Sequence, residues 1–299
     1  MQVAPAIRSS RLSRRATSLL LLAPTTLLYL TVYLGGLVMV LVMSIDVPPG
    51  VDSGGATLAH YRDVFGSAPI GAIVLRTLRD SLATVAGCLL LGVPVARYIT
   101  ASASRWKGIV LMAVLSPLMV SAIGRIFGWI ALFGPGSVIA DGLTALFGGK
   151  PTGLLYTEAA IIIGLTNLLL PFMVLSVASS RAHFEEDMSK AALSLGATPL
   201  SVLLQVELPL IFPGILSGAL IVFSLSTTNF VTAALLGGSG RDLVGYEIYL
   251  DILVYFQQGR GAALAMLLLV VVVALMALAI QTGVQRHEVR DTAARTRGT

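Results

Sequence analysis

Six long apolar runs, parted by shorter polar stretches, set the pattern of this chain. They cover roughly residues 19–43, 81–98, 108–133, 154–178, 211–236 and 262–284. Each is long enough, or nearly so, to cross a hydrocarbon layer about 30 Å thick as a helix. One polar stretch, residues 181–208, is not written like a flexible loop. Within it Ala191, Ala192, Leu195 and Leu200 recur at near-helical spacing, and Gly196 interrupts them. Thr198-Pro199 then reads as an N-cap followed by proline at the first helical position. The pattern predicts two short helices joined near Gly196, outside the lipid. Small side chains beside a turn make a compact knob that another protein can approach closely. Two more short helices are predicted between spans: LAHYRDVF in the first long loop, and DLVGYEIYLDILVYF lying in the interface in the last.

Composition narrows the class. Of 299 residues, 56% are hydrophobic and only 12% charged. A soluble domain of this length could not hide so much apolar surface, whereas a bilayer accepts it directly. The sequence describes an all-α integral membrane protein with a single membrane domain, residues 19–284, between basic polar tails at 1–18 and 285–299. The arginines of those tails suit anionic lipid headgroups rather than nucleic acid. Cys88 falls inside an apolar run, and His60, His183 and His287 are scattered, so neither a disulfide framework nor a metal site is expected. Arg8, Arg11, Arg14 and Arg15 precede the first run as in a secretory signal. That run is too long for a signal and ends at MSIDVPPG without a small-x-small cleavage site, so it reads as a retained span.

Lysine and arginine set the expected orientation. With the N-terminus inside, the inner segments carry 13 of the 20 basic residues, including Arg97, Arg105, Lys107, Arg181 and Lys190. Both termini and the 181–208 loop are therefore expected to be cytoplasmic.

Polar groups inside the spans are candidates for a pathway, because they are costly in hydrocarbon and face a bundle interior, a partner or water. Arg125 stands deep in the third apolar run. Either it lines the pathway, paired with a carboxylate such as Glu158 on the next span, or it snorkels outward near Trp129. Asn167 lies near mid-depth of the fourth run. Asn229 follows Ser226-Thr227-Thr228 in the fifth; each asparagine either contacts a ligand or hydrogen-bonds across a helix interface. Pro94, Pro117 and Pro171 permit kinks.

The 181–208 stretch resembles the cytoplasmic loop of permease subunits in binding-protein-dependent ABC importers, which carries Glu-Ala-Ala, three residues, Gly, and a later Leu-Pro. Ala191, Ala192 and Gly196 match, as do Leu208-Pro209 and Pro213-Gly214, while Lys190 stands in place of the usual glutamate. Further stretches resemble the spermidine/putrescine group of that family. They are Arg76-Thr77-Leu78, Gly92-Val93-Pro94-Val95-Ala96, the run from Pro117 through Arg125 and Trp129 to Gly136, Leu170–Leu175, and Asn229-Phe230-Val231-Thr232. The likeness runs from about Arg76 to the last span. It implies the type I ABC importer permease fold, in a bacterial inner membrane. It also implies partners: a second, related permease subunit, two cytoplasmic ATPase subunits and an extracytoplasmic solute-binding protein. Lys190, Ala191, Ala192, Gly196, Ala197, Leu208 and Pro209 would couple the permease to the ATPase. Arg125, Trp129, Glu158, Asn167 and Asn229 are the candidates for the pathway.

No Gly-x-x-x-x-Gly-Lys-Ser/Thr phosphate loop occurs, so the chain is expected to be a transport subunit without a cofactor, ATP and Mg being bound by the partner ATPase. The implied solute is a polyamine, with an opine, a phosphonate or another small organic solute as the alternative. An ion-coupled secondary transporter would show mid-depth coupling residues or repeated halves. A membrane enzyme would need a nucleophile–base or metal set. Neither pattern is present.

Overall fold

The computed structural model describes residues 11–46, 57–101, 105–147, 153–182, 186–238, 240 and 242–297. Among them every regular element is helical. In chain order these are α1 (Arg11–Ser44), α2 (Ala59–Gly66), α3 (Ala68–Ala101), α4 (Lys107–Met119), α5 (Ala122–Phe133), α6 (Val138–Phe147) and α7 (Glu158–Arg181). They continue with α8 (Glu186–Ser194), α9 (Pro199–Val202), α10 (Leu208–Thr228), α11 (Phe230–Thr232), α12 (Val244–Tyr249) and α13 (Gln258–Arg297). Wide π turns at Leu203–Glu207, Ala233–Gly237 and Leu250–Val254 follow α9, α11 and α12.

Six described helical segments are long and apolar enough to cross a membrane: Leu22–Ser44, Pro69–Thr100, Ala122–Gly142, Glu158–Arg181, Pro199–Thr228 and Gln258–Gln281. The third differs from the expected run 108–133. The chain leaves helical geometry at Val120 (φ −91°, ψ 138°) and Ser121 (φ −50°, ψ 136°), which splits that run into α4 and α5. At 13 residues, α4 is about 20 Å long and falls short of the bilayer by itself. The fifth run breaks too, at Asn229, whose extended backbone ends α10. The second helix begins at Ala68, well before the expected residue 81, so Arg76, Arg79 and Asp80 belong to it. The last helix continues to Arg297 through the expected tail, because no Gly or Pro interrupts it between Gly283 and Gly298.

The centre of the bundle is α3, α7 and α10 packed on one another. Small residues allow the close approach. A Cβ at Gly214 would collide with Ser180 Cβ and the Ser176 carbonyl oxygen, and one at Gly218 would lie 2.8 Å from Met173 Sδ. Gly214 and Gly218 are one small-xxx-small pair facing another, Ser176 and Ser180, the packing that lets membrane helices touch where no hydrophobic effect drives them together. Around them Cys88, Leu169, Met173, Val174, Val177, Ile211 and Val222 form the main apolar core. Helix α7 is the best enclosed: 56% of its most apolar stretch is buried, against none for α1, which packs along α13 at the edge.

Candidate functional site

The expected knob is formed by α8, Gly196 and α9. Helix α8 ends in a Schellman turn: the Ala197 amide donates to the Ala192 carbonyl at 3.1 Å and the Gly196 amide to that of Leu193 at 3.0 Å. Gly196 sits at φ +87°, the left-handed region that only glycine occupies without strain. Thr198 Oγ accepts from the Ser201 amide at 3.3 Å, capping α9, and Pro199 takes the first helical position. The result is two helices joined by four residues, Leu195 to Thr198. Ala191 and Gly196 are exposed, Ala192 and Ala197 half-buried, and Lys190 lies on α8 between Met188 and Ala191. Leu195 is 89% exposed and Leu200 65%, with Met188, Leu193 and Leu204 also open. These side chains make an exposed apolar cluster on a frame fixed by the Gly196 turn and the Thr198 cap.

Leu208 and Pro209 are half-buried below the knob, where α10 begins. Pro209 has no amide to offer the preceding turn, and the chain widens there: the Leu208 amide reaches back to the Leu203 carbonyl. Glu207, at the end of this π turn, is buried. Its Oε2 accepts from Arg181 Nη1 at 2.7 Å and lies 2.8 Å from Arg97 Nε. Sequence reasoning passed over Glu207 altogether. The available signal was a carboxylate directly before Leu-Pro with two arginines at the same depth on other helices.

At the opposite end of the bundle Glu158 begins α7, with Thr157 as its N-cap. The Arg125–Glu158 pair, one of the two readings of Arg125, does not form. Glu158 pairs with Arg79 and, at 3.7 Å, with Arg76, while Arg79 also holds the buried Asp80 at 3.0 Å. Arg76 donates to the Gly240 carbonyl at 2.6 Å, and Thr77 Oγ accepts from the Val244 amide at 2.9 Å, tying α3 to the α12 loop. Beside it Arg260 donates to Asp251 Oδ1 at 2.9 Å and lies 3.7 Å from Glu247. Burial pushes the Asp251 carboxyl above the usual carboxylate range, with Arg260 opposing. Burial and then the neighbouring Asp251 push Glu247 the same way, Arg260 again opposing and Asp242 adding to the rise. Among the described residues, Asp80 Oδ2 and Asp251 Oδ2 are both buried without a hydrogen-bond partner.

Arg125 has a different partner from the one expected. Its Nη1 donates to the Pro117 carbonyl and, at 3.4 Å, to that of Val120, two acceptors released by the break between α4 and α5. Trp129 stacks on Phe133, with ring centroids 4.8 Å apart. Asn229 Oδ1 accepts from the Thr232 amide at 3.0 Å, so it caps α11. Asn167 is half-buried on α7 and makes no side-chain hydrogen bond among the described residues. The candidate pathway residues thus do not converge on one another: Arg125 and Asn229 each hold a helix break, and Glu158 belongs to an arginine cluster. Among the described residues no group of three His, Cys, Asp or Glu could hold a metal ion.

A bundle of membrane helices around α3, α7 and α10, with breaks in two of the apolar runs and a helix-turn-helix knob between α7 and α10, defines the class as a polytopic integral membrane protein. The chain matches the family described as binding-protein-dependent transport system inner membrane component over residues 89–289, and it belongs to that family. It is 32% identical over 225 residues to the spermidine/putrescine transport system permease protein PotB of Haemophilus influenzae, covering 75% of this chain and 77% of the relative. It is 30% identical over 212 residues to the molybdenum transport system permease protein ModB of Mycobacterium tuberculosis, covering 69% and 77%. Its fold is that of a bacterial alginate ABC transporter solved with a pentasaccharide-bound periplasmic protein. The TM-score is 0.73 at 18% identity, over 89% of this chain and 93% of the other. The chain is a multi-pass inner-membrane permease subunit of an ABC importer, a transport component and not an enzyme. It works with an ATPase and a solute-binding protein.

Proposed function

We propose that the solute is a polyamine, spermidine or putrescine. The observation that carries this reading is the 32% identity to PotB of Haemophilus influenzae over about three quarters of both chains. The electrostatics of the end opposite the knob agree with a cationic solute. Four carboxylates (Asp80, Glu158, Glu247 and Asp251) share three arginines there, and two buried carboxylate oxygens lack a hydrogen-bond donor. Arg125 turns its guanidinium to backbone carbonyls, which draw its donors away from the solute.

In this reading both termini and the knob face the cytoplasm, where the excess of lysine and arginine falls. Ala191, Ala192, Gly196 and Ala197 receive the ATPase, with Lys190, Leu208 and Pro209 flanking them. ATP and Mg are bound by two ATPase subunits, and the second permease is a related but different chain. Closure of the ATPase dimer pushes the knob, and the bundle rocks between outward- and inward-facing states. Trp129 and Asn167 remain candidates for contact with the solute. The ModB relative supports an anionic solute as the second reading.

Radiolabelled uptake in cells lacking this chain separates the two. Loss of putrescine and spermidine uptake, restored by the wild type and not by Gly196→Asp, is the expected result. Loss of molybdate uptake with polyamine uptake intact would keep the importer and overturn the polyamine.

A further inference from the structure

The knob is joined by the chain to α7 on one side and to α10 on the other, but no chain connection leads from it to α3. The link to α3 is electrostatic. Glu207 closes the π turn at the foot of the knob, and its single oxygen Oε2 meets Arg181 of α7 at 2.7 Å and Arg97 of α3 at 2.8 Å. The side chains of Glu207 and Arg181 are only 7% and 6% exposed, so water does not screen their attraction, and Arg97 closes the site from its rim at 36%. Three helices that make up the core of the bundle therefore meet at one carboxylate, directly below the surface that carries Leu195 and Leu200.

We propose that Glu207 is a positioning residue of the transport cycle: a tie through which displacement of the knob is delivered to α3 as well as to α7 and α10. This rests on the reading of the knob as the ATPase docking surface. Arg76 and Arg79 pair α3 with Glu158 of α7 at the far end of the bundle, so near the knob it is Arg97 that carries the charged contact of α3. Without it this end is held by apolar and small-residue packing, which lets helices slide. With it, the inner end of α3 follows Glu207. The wide turn that carries Glu207 runs directly into Leu208-Pro209, so in this proposal the Leu-Pro pair lies next to the tie.

The test uses the complete complex of permeases, ATPase and binding protein in lipid nanodiscs. Spin labels on cysteines introduced at Thr100 in α3 and Ser194 in α8 report whether the two elements move together; the native Cys88 is buried and silent. The expected wild-type result is an α3–α8 distance that stays constant between the nucleotide-free and ATP-bound states. In Arg97→Gln, which leaves a neutral Arg181–Glu207 pair, that distance changes on ATP binding. Putrescine uptake per ATP hydrolysed in proteoliposomes falls about tenfold while ATPase co-purification is unchanged. Arg97→Lys recovers part of the uptake. A changing distance in the wild type, or an Arg97→Gln complex with wild-type distances and uptake per ATP, would overturn the tie. If Arg97→Gln is recovered in too small an amount, Glu207→Asp, which keeps every charge and retracts the carboxylate by one methylene, is read by the same two measurements. Ala192→Asp separates this proposal from the reading below it. ATPase still bound to that variant sinks the docking surface, whereas ATPase lost there with Arg97→Gln behaving as wild type sinks only the tie.

Discussion

The two ends of the α3–α7 pair each hold one glutamate between two arginines, and the environments make them unlike. At the knob end, Glu207 is 7% exposed and its partners come from two different helices, Arg97 of α3 and Arg181 of α7. At the other end, Glu158 is 37% exposed and both partners, Arg76 and Arg79, lie one turn apart on α3. The first joins three helices in a place water does not reach. The second joins two at a wet rim, where ions and solvent compete for every charge. Identical chemistry therefore predicts opposite sensitivities, and burial decides which end is rigid.

The largest effect is expected from Glu207→Gln. It removes the anion that Arg97 and Arg181 share, beside a guanidinium only 6% exposed. Removing one partner from a buried ion pair costs about 3–5 kcal/mol. The thermal midpoint of the detergent-purified protein should fall accordingly. Replacing the set with apolar residues (Arg97→Met, Arg181→Met, Glu207→Leu) should restore most of the loss, because desolvation is then removed along with attraction. A Glu207→Gln protein melting with the wild type would show that water reaches this site and the contrast is false.

Next in size is Gly214→Leu, which tests whether α7 and α10 are held as closely as the knob end requires. A Cβ there already meets Ser176 and Ser180, so a full side chain must push the helices apart, at a cost on the order of 1–3 kcal/mol. Gly71→Leu on the same bundle is the control, since nothing lies within 4 Å of its Cβ position. Equal losses in the two variants would mean the small-residue seam is not where the helices are locked.

How much of this was legible in the sequence follows from what the bilayer demands. It demands long apolar runs, so the spans stood out, and the Gly196 turn with Thr198-Pro199 carried its own backbone chemistry. The break at Val120–Ser121 did not stand out, because a lone serine barely interrupts the apolar run, and the polar Ser226-Thr227-Thr228-Asn229 stretch reads equally as a cluster within an unbroken helix. At Asn229 a signal existed: an asparagine three residues before Thr232 is an N-cap pattern inside an apolar run. The partners of Glu158 are not visible in hydropathy, because the apolar run begins only at residue 81 whereas α3 begins at Ala68. Arg76 and Arg79 lie before that run, yet they stand one helical turn apart on α3 and both reach Glu158 of α7. The Glu207 tie brings together residues from three separate spans, and no local pattern ranks one such combination above another.

A smaller effect is expected from pH at the far end. Asp251 and Glu247 both titrate above the usual carboxylate range because burial disfavours their charged forms. The folded state therefore binds protons more readily than the unfolded chain. The sign follows: stability falls as pH rises from the ordinary carboxylate pKa through the raised one, and is regained on acidification through the same window. The thermal midpoint should rise as pH is lowered toward that window, and Asp251→Asn should flatten the slope. A slope unchanged in Asp251→Asn would place its origin elsewhere.

The smallest effect is expected at Glu158 itself. Its partners are half in solvent, and exposed pairs contribute little once salt screens them and the long side chains lose rotamer freedom. Glu158→Gln should leave the thermal midpoint where it was, at low and at high salt alike. The exchange variant Arg125→Glu/Glu158→Arg should not rescue either single change. Arg125 is committed to the carbonyls of Pro117 and Val120, and a glutamate there would turn one acceptor toward others. Loss of uptake in Arg125→Glu alone therefore reports the helix break, not a lost partner on α7. Recovery of uptake in the exchange would bring Arg125 and Glu158 together in some state of the cycle, and the wet end would then share in the motion that the buried end is built to carry.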